Sequence, residues 1–244
     1  MKHFLDTLTI DNSYSFDGSN ILSSNKAIAA TPVFSAVNTY TIASIIHNIS
    51  GKEIMEFYQF LAQFPLLGMH HEIGKKIFRG ITNLESKELH NKTILYRARK
   101  NESEIPFVKK EMFAPPYGMP HQQRFNTHGY NVLYMTDKEL AASEEINSDC
   151  KINMFKVKLL ENCNMLDITK QDCALFEFCH KDATRSHSNI ENAYLVPGFF
   201  ACCCIYHKIT GVIYKNTKVE NAKNYVFFNY NENWFDLIGS DFIK

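Results

Sequence analysis

Apolar residues change their spacing twice along the chain. Before residue 33 the chain is rich in Ser, Asn and Asp and has only short apolar clusters, which predicts a loosely structured lead-in over residues 1–32. From Val33 to about Asn83 the spacing is helical, with Pro65 interrupting it. Two apolar stripes carry this pattern: Ile42, Ile45 and Ile46, then Met55, Tyr58, Leu61 and Ala62. We therefore predict a small helical accessory region over residues 33–91.

Beyond the polar segment at residues 83–92, apolar alternation with a period of two replaces the helical spacing. Runs rich in β-branched and aromatic residues predict strands at residues 94–98, 132–135, 152–159, 212–214 and 225–228. The segments between these strands are long enough for helices and loops. The sequence therefore predicts an α+β domain over residues 92–244.

Composition narrows the classes of function. A hydrophobic fraction of 45% over 244 residues can bury one good core, or a core plus a small accessory domain. The 26 basic and 26 acidic residues balance and form no basic run, which disfavours nucleic acid as a partner. No uncharged apolar stretch approaches the ~20 residues that span a bilayer. Seven cysteines without the spacing of a disulfide framework fit a reducing compartment, so we expect a cytoplasmic protein.

Two cysteine-based chemistries are considered and set aside. Cys203 and His207 lie one helical turn apart and could form a thiol–imidazole pair, but the apolar stretch at residues 198–208 favours a buried helix in which cysteines are small hydrophobes. The zinc alternative would need paired ligands, and no finger class has the spacing of Cys163, Cys173, Cys179 and His180. We therefore expect no metal site.

A pair of acidic residues draws attention to the segment after residue 132. Thr136 with Glu139 three residues later is a capping box, which predicts a helix from about Asp137. On that helix, periodicity does not decide whether Glu144 or Glu145 faces inward. From periodicity and composition alone, two glutamates on a solvated helix face are the simpler interpretation.

A family resemblance separates the two glutamates. An arginine, Arg124, lies in a polar loop with Asn126; Tyr134 ends the next strand, and Glu145 follows it by eleven residues. This arrangement resembles the RES-domain family, named for Arg, Glu and Ser. Other segments match the family's strands in order, at residues 95–99 (Leu-Tyr-Arg-Ala-Arg), 165–167 (Met-Leu-Asp), 211–214 (Gly-Val-Ile-Tyr) and 224–228 (Asn-Tyr-Val-Phe-Phe). The resemblance covers roughly residues 92–230.

The resemblance implies a mixed sheet with an ADP-ribosyltransferase-like fold and an enzyme that breaks the nicotinamide–ribose bond of NAD⁺. Such enzymes act as NAD⁺ phosphorylases or glycohydrolases, mostly as toxins of toxin–antitoxin pairs, and some transfer ADP-ribose to a protein. Glu145 would stabilise the oxocarbenium-like ribose, and Tyr134 would line the catalytic pocket. Arg97, Arg124 and Asn126 would bind NAD⁺, because planar arginine side chains hold phosphates bidentately.

The chain departs from the family at two places. Asn216, followed by Thr217, stands where the family has serine, and either side chain could hydrogen-bond the carboxylate or the ribose. Gln122 and Gln123 precede the loop arginine, where the family usually has glycine, so we expect a different loop shape.

These departures leave a rival reading, a RES-like binding module without catalysis. Retention of Arg97, Arg124, Tyr134 and Glu145 argues for the enzyme. No Gly-x-Gly-x-x-Gly loop is present, so NAD⁺ would be a substrate and not a resident cofactor, with phosphate as a candidate co-substrate. Besides NAD⁺, the expected partners are an antitoxin or immunity protein and a second copy of the chain.

Overall fold

The computed structural model describes residues 45–146, 151–181 and 193–243. The predicted lead-in at residues 1–32 and the stripe residue Ile42 lie outside the described residues. In the described part of the chain, no helix has both the length and the apolar character needed to cross a membrane.

Among the α-helices that precede the sheet, α1 is Gly51–Gln63 and α2 is Glu72–Gly80. A capping box starts α1, because Ser50 Oγ accepts from Glu53 N at 3.3 Å and Glu53 Oε2 accepts from Ser50 N at 2.8 Å. These hydrogen bonds, with Lys76 nearby, lower the pKa of Glu53 to about 2. The acidic first turn thus stays charged at neutral pH and favours the helix start.

The second predicted apolar stripe lies on α1 and is only partly buried. Met55 is 47% exposed and Ala62 is exposed, although Tyr58 is half-buried. The buried face consists of Ile54, Phe57 and Leu61. Both sets have helical spacing, and the face with the bulkier buried aromatic packs against the rest of the protein.

One eight-stranded sheet organises the described residues. Its strands are β1 Ser86–Leu89, β2 Ile94–Lys100, β3 Leu133–Thr136, β4 Ile152–Leu159, β5 Cys163–Asp167, β6 Gly211–Lys215, β7 Lys223–Phe227 and β8 Phe235–Ile243. The spatial order is β1-β5-β6-β7-β3-β2-β4-β8. Only the β5–β6 pair is parallel, and the other pairs are antiparallel. The α+β class with a mixed sheet is confirmed.

The predicted strands compare closely with those in the sheet. The boundaries of β4 agree, and those of β2, β3, β6 and β7 differ by at most two residues. The alternation analysis did not predict β1, β5 or β8; the family resemblance marked residues 165–167 of β5, and β1 and β8 form the two edges of the sheet. In β1 only Leu89 is buried, so the strand lacks the alternation that would reveal it.

Three further α-helices lie within the described residues: α3 is Glu139–Ile146, α4 is Ala174–His180 and α5 is Leu195–Tyr206. The predicted buried helix around residues 198–208 is therefore confirmed in α5. The capping box at Thr136 is not formed as predicted, because α3 begins at Glu139. Instead, Thr136 Oγ1 donates to the Lys223 carbonyl at 2.9 Å, and Asp137 Oδ1 accepts from Lys223 N at 2.9 Å. Both side chains tie the end of β3 to β7.

A separate core lies on each face of the sheet. On one face, Phe57 of α1, Phe176 of α4 and Phe200 of α5 belong to the same cluster as Val226 of β7. On the other face, strand residues pack with one another and with the segment before β3: Leu95, Phe113, Leu133, Val157, Phe227 and Phe235. The division into a helical region at 33–91 and a second domain at 92–244 stays a prediction; β1 lies within the former range and pairs with β5.

Candidate functional site

A cavity of about 620 Å³ opens between β2, β3, α3 and the segment that joins β2 to β3. Its size is that of a small-molecule site. Six of the seven predicted site residues line it: Arg97, Arg124, Asn126, Tyr134, Glu145 and Thr217. The seventh, Asn216, donates a hydrogen bond to Glu145. The structure therefore brings the predicted set together, although its members come from five separate parts of the chain.

Glu145 lies in the last turn of α3, on the side of the helix that faces the cavity. The buried residues Ala141 and Ala142 place this side of the helix against the sheet. Glu145 Oε1 accepts from Asn216 Nδ2 at 3.0 Å and from Asn224 Nδ2 at 3.1 Å. The geometry thus distinguishes the two glutamates that periodicity left tied: both are exposed, but Glu145 lines the cavity and accepts the two amides.

The connection between β6 and β7 supports this carboxylate from behind. Asn216 Oδ1 accepts from the backbone N–H groups of Lys218 at 2.9 Å and Val219 at 2.8 Å, which holds its amide in place. Lys218 Nζ lies 4.0 Å from Glu145 Oε2 and donates to the Glu144 carbonyl at 2.7 Å. Thr217 is exposed and lines the cavity.

Arg97 occupies the gap where β2 and β3 separate. The two strands share one register position, Tyr96 with Thr136. Beyond it, Arg97 Nη1 donates to the Tyr134 carbonyl at 2.8 Å, so the side chain replaces a missing ladder hydrogen bond. Its Nε is buried without a hydrogen-bond partner. Burial, followed by the nearby charge of Arg99, lowers the pKa of Arg97 to about 10, and the guanidinium stays charged at neutral pH.

Arg124 projects from a tight turn. Gln123 and Asn126 exchange backbone hydrogen bonds of 3.3 and 3.4 Å across it, and the fully buried Phe125 anchors it in the core. Arg124 Nη1 donates to the Cys179 carbonyl at 2.8 Å and to the Lys181 carbonyl. Among the residues that the structure describes, neither Gln122 nor Gln123 has a positive φ, so this turn forms without the glycine of the family.

Aromatic rings enclose the Arg124 guanidinium. Its Cζ lies 5.6 Å from the centre of the Tyr194 ring and 5.9 Å from that of Tyr214. Burial raises the pKa of Tyr214 far above its ordinary value, so its hydroxyl remains protonated. These contacts hold the guanidinium plane at one wall of the cavity.

Tyr134 and Asn126 are joined to each other. The Tyr134 hydroxyl donates to Asn126 Oδ1 at 3.0 Å and accepts from Phe125 N at 2.9 Å. Asn126 Nδ2 donates to the carbonyls of His121 at 3.0 Å and Thr127 at 3.1 Å. Burial raises the pKa of Tyr134 well above its ordinary value. The polar atoms of both side chains therefore shape the loop, and the Tyr134 ring is the part best placed to contact a ligand.

Sequence reasoning missed several residues of this cavity: Asn224, Tyr214, Tyr194 and Arg99. Asn224 is 6% exposed and precedes Val226 by two positions on β7, where alternation calls for an apolar side chain. A buried amide at a core-facing strand position was the signal available. Arg99 follows Arg97 by two residues on β2, and this spacing could have indicated a shared face.

The alternative sites have different surroundings. His207 Nε2 lies 3.0 Å from the Phe78 carbonyl, and burial raises the pKa of Cys203 to about 12, opposite to the shift a nucleophilic thiol needs. Cys203 and Cys204 are buried, whereas Cys202 is exposed. Within residues 45–146, 151–181 and 193–243, no three His, Cys, Asp or Glu side chains are grouped so that they could hold a metal ion.

Comparisons with known proteins give a distant structural likeness. No family model matches the chain, and no curated protein matches it. The fold is similar to that of a chain in the crystal structure of the M. tuberculosis MbcT–MbcA toxin–antitoxin complex, with 10% sequence identity and a TM-score of 0.47. The similarity covers 68% of this chain and 91% of that one. At this level of similarity, no functional argument rests on it.

Proposed function

We propose that this protein consumes NAD⁺ by breaking the bond between nicotinamide and ribose, with Glu145 as the catalytic carboxylate. The observation that carries the proposal is the placement of Glu145. One of its oxygens is held by two asparagine amides at the wall of a cavity that arginines also line. An acid fixed in this way can stabilise positive charge on a bound sugar without reorganising first.

The chemistry requires few protein groups. As the C1′–N bond breaks, its electron pair leaves with neutral nicotinamide, and positive charge develops on the ribose ring. Glu145 stabilises that charge and orients the ribose through its hydroxyls. An oxygen nucleophile then bonds to C1′ and loses its proton to solvent. Water would give ADP-ribose, and phosphate would give ADP-ribose-1″-phosphate.

Arginines supply the complementary half of the site. Arg97 and Arg124 are assigned to the two phosphates of NAD⁺, and Arg99 adds a third guanidinium to the same cavity. Arg97 has no acidic partner among the described residues, and its guanidinium donates to a neutral carbonyl, that of Tyr134. Its charge is therefore available to an anion.

We also propose that the protein is a toxin and that an antitoxin inhibits it; both statements rest on the family resemblance. A protein side chain as the nucleophile is the remaining alternative and would make the enzyme an ADP-ribosyltransferase. Induced expression that depletes cellular NAD⁺ and stops growth, with recovery in a Glu145→Gln strain, would support toxin activity. Growth arrest that persists in that strain would contradict it.

The direct test is incubation of the purified full chain with NAD⁺, followed by chromatography of the products. Glu145→Gln should reduce turnover by at least roughly 10²–10³-fold, because it removes the charge and keeps the shape. Glu144→Gln is the matched control and should retain activity. Intact NAD⁺ in the presence of water, phosphate and candidate acceptor proteins would overturn the proposal. Loss of activity in the Glu144 variant alone would move the catalytic role by one residue.

A further inference from the structure

Two asparagine amides converge on the same oxygen of Glu145. Asn216 comes from the β6–β7 connection, 71 positions from Glu145, and Asn224 comes from β7, 79 positions away. The amides also contact each other, since Asn216 Nδ2 donates to Asn224 Oδ1 at 2.9 Å. Glu145 Oε1 is thus one corner of a closed triangle of hydrogen bonds.

The orientation of both amides follows from the backbone. Asn216 Oδ1 accepts from Lys218 N and Val219 N, so this side of the amide must be oxygen. Asn216 Nδ2 then faces the other two members of the triangle. Because Asn224 Oδ1 receives one of its hydrogens, Asn224 Nδ2 must face Glu145. The backbone N–H groups of Lys218 and Val219 therefore determine that Glu145 faces the N–H groups, and not the oxygens, of both asparagine amides.

The second carboxylate oxygen has different surroundings. Oε2 lies 4.0 Å from Lys218 Nζ, a long contact for an ion pair. Tyr214 also lies near the carboxylate and Asn224. The Glu145 side chain is 42% exposed, so one oxygen is held from behind while the carboxylate remains accessible.

We infer that Asn224 is a positioning residue that, together with Asn216, occupies Oε1 and leaves Oε2 as the oxygen that meets the ribose hydroxyls. This inference rests on the proposed function. Asn224 is 6% exposed and its donors are directed at protein groups, so it acts through Glu145. The missing serine of the family is thereby replaced by two amides, one of which lies eight residues further along the chain.

The kinetic test uses Asn224→Asp, which keeps the shape of the side chain and replaces a donor with an acceptor. We expect kcat to fall roughly 100-fold with KM nearly unchanged, because the lost hydrogen bond orients a group that acts in the transition state. Asn224→Ser keeps a hydroxyl donor and should recover part of the loss. Asn229→Asp adds the same charge at an exposed position in a different cavity and should behave like wild type.

A second measurement does not depend on turnover. The side-chain carboxyl ¹³C resonance of Glu145, assigned by its loss in Glu145→Gln, should shift in Asn224→Asp and stay in place in Asn229→Asp. If wild type leaves NAD⁺ intact, the proposed function fails, and this resonance still tests the hydrogen-bonding part of the inference. An unchanged resonance, or an unchanged kcat in an active wild-type background, would overturn it. If Asn224→Asp does not fold, Asn224→Ser and Asn216→Ala take the same two measurements.

Discussion

Two groups of charged residues line the cavity. In the first, here called the carboxylate end, Glu145 is held by side chains; in the second, the arginine end, Arg97 and Arg124 are held by the main chain. Glu145 receives the amides of Asn216 and Asn224, whereas Arg97 and Arg124 donate to backbone carbonyls. Side-chain donors can be exchanged without rebuilding the fold. Main-chain acceptors belong to the fold, and an arginine that satisfies them also stabilises it. We therefore expect substitutions at the carboxylate end to change rate, and those at the arginine end to change binding and stability together.

Arg124→Ala should have the largest effect on stability. It removes the hydrogen bonds to the Cys179 and Lys181 carbonyls and the packing against two tyrosine rings. Hydrogen bonds from a charged donor contribute about 1.5–3 kcal/mol each, so we expect a loss of roughly 3–5 kcal/mol in the free energy of unfolding, measured with urea. Arg79→Ala, at an exposed position on α2, should change it by less than about 0.5 kcal/mol. Unchanged stability in Arg124→Ala would break the comparison, since Arg124 would then serve the ligand alone.

Arg97→Lys tests whether the arginine end recognises phosphate through its planar fork. Lysine keeps the charge but cannot hold the Tyr134 carbonyl and a phosphate in the same plane. We expect NAD⁺ affinity to fall about 10- to 100-fold, which corresponds to losing about one charge-assisted hydrogen bond. Calorimetry in a Glu145→Gln background keeps NAD⁺ intact during the titration. Equal affinity in the two proteins would show that the planar fork of Arg97 does not recognise the phosphate.

The parts of the fold that could be predicted from sequence are those with local signals. Strand β4 has neighbours on both sides in the sheet, and its alternation gives its boundaries directly. The edge strands β1 and β8 have one neighbour each, and in β1 three of four residues are exposed, so no alternation marks it. The helix α3 begins two residues after the predicted Asp137, because Thr136 and Asp137 bond to Lys223, which is 87 residues from Thr136.

The residues of the candidate site also divide into those that a local signal could indicate and those that depend on distant parts of the chain. Family resemblance could propose Arg97, Arg124 and Glu145, because each belongs to a short motif with its own spacing. Local periodicity could not separate Glu145 from Glu144, since the groups that hold its carboxylate lie 71 and 79 positions away. Asn224 was missed for the same reason. A single sequence shows that an amide is present but not which carboxylate it faces.

Tyr134→Phe separates the ring from the hydroxyl at the boundary between the two ends. It deletes a hydroxyl that donates to Asn126 and accepts from Phe125 N, and leaves both without that partner. We expect a loss of about 1–2 kcal/mol in unfolding free energy and a fall in kcat of less than about tenfold. Tyr206→Phe, at a residue 72% exposed, is the matched control. A much larger fall in kcat at unchanged stability would assign the hydroxyl itself to the chemistry.

The smallest expected effect concerns pH at the arginine end. Burial, and then the charges of Lys215 and Arg124, lowers the pKa of His180 to about 4, against the opposing charge of Asp167. An unfolded chain binds this proton near pH 6.5, whereas the folded protein resists it until about pH 4, so stability falls as the pH is lowered between these values. Because His180 is only partly buried, we expect a loss of about 1 kcal/mol between pH 7 and pH 5.

Urea denaturation at several pH values should show this loss in wild type and a flatter profile in His180→Gln. His90→Gln replaces a histidine whose side chain is 74% exposed and should keep the wild-type slope, which corrects for general effects of removing an imidazole. Identical slopes in wild type and His180→Gln would contradict the assignment. A stronger slope in an Arg124→Ala background would also contradict it, because removing that positive charge should make His180 easier to protonate in the folded state. The expected order of slopes, wild type above Arg124→Ala above His180→Gln, would connect the charge of Arg124 to the stability of the fold around it.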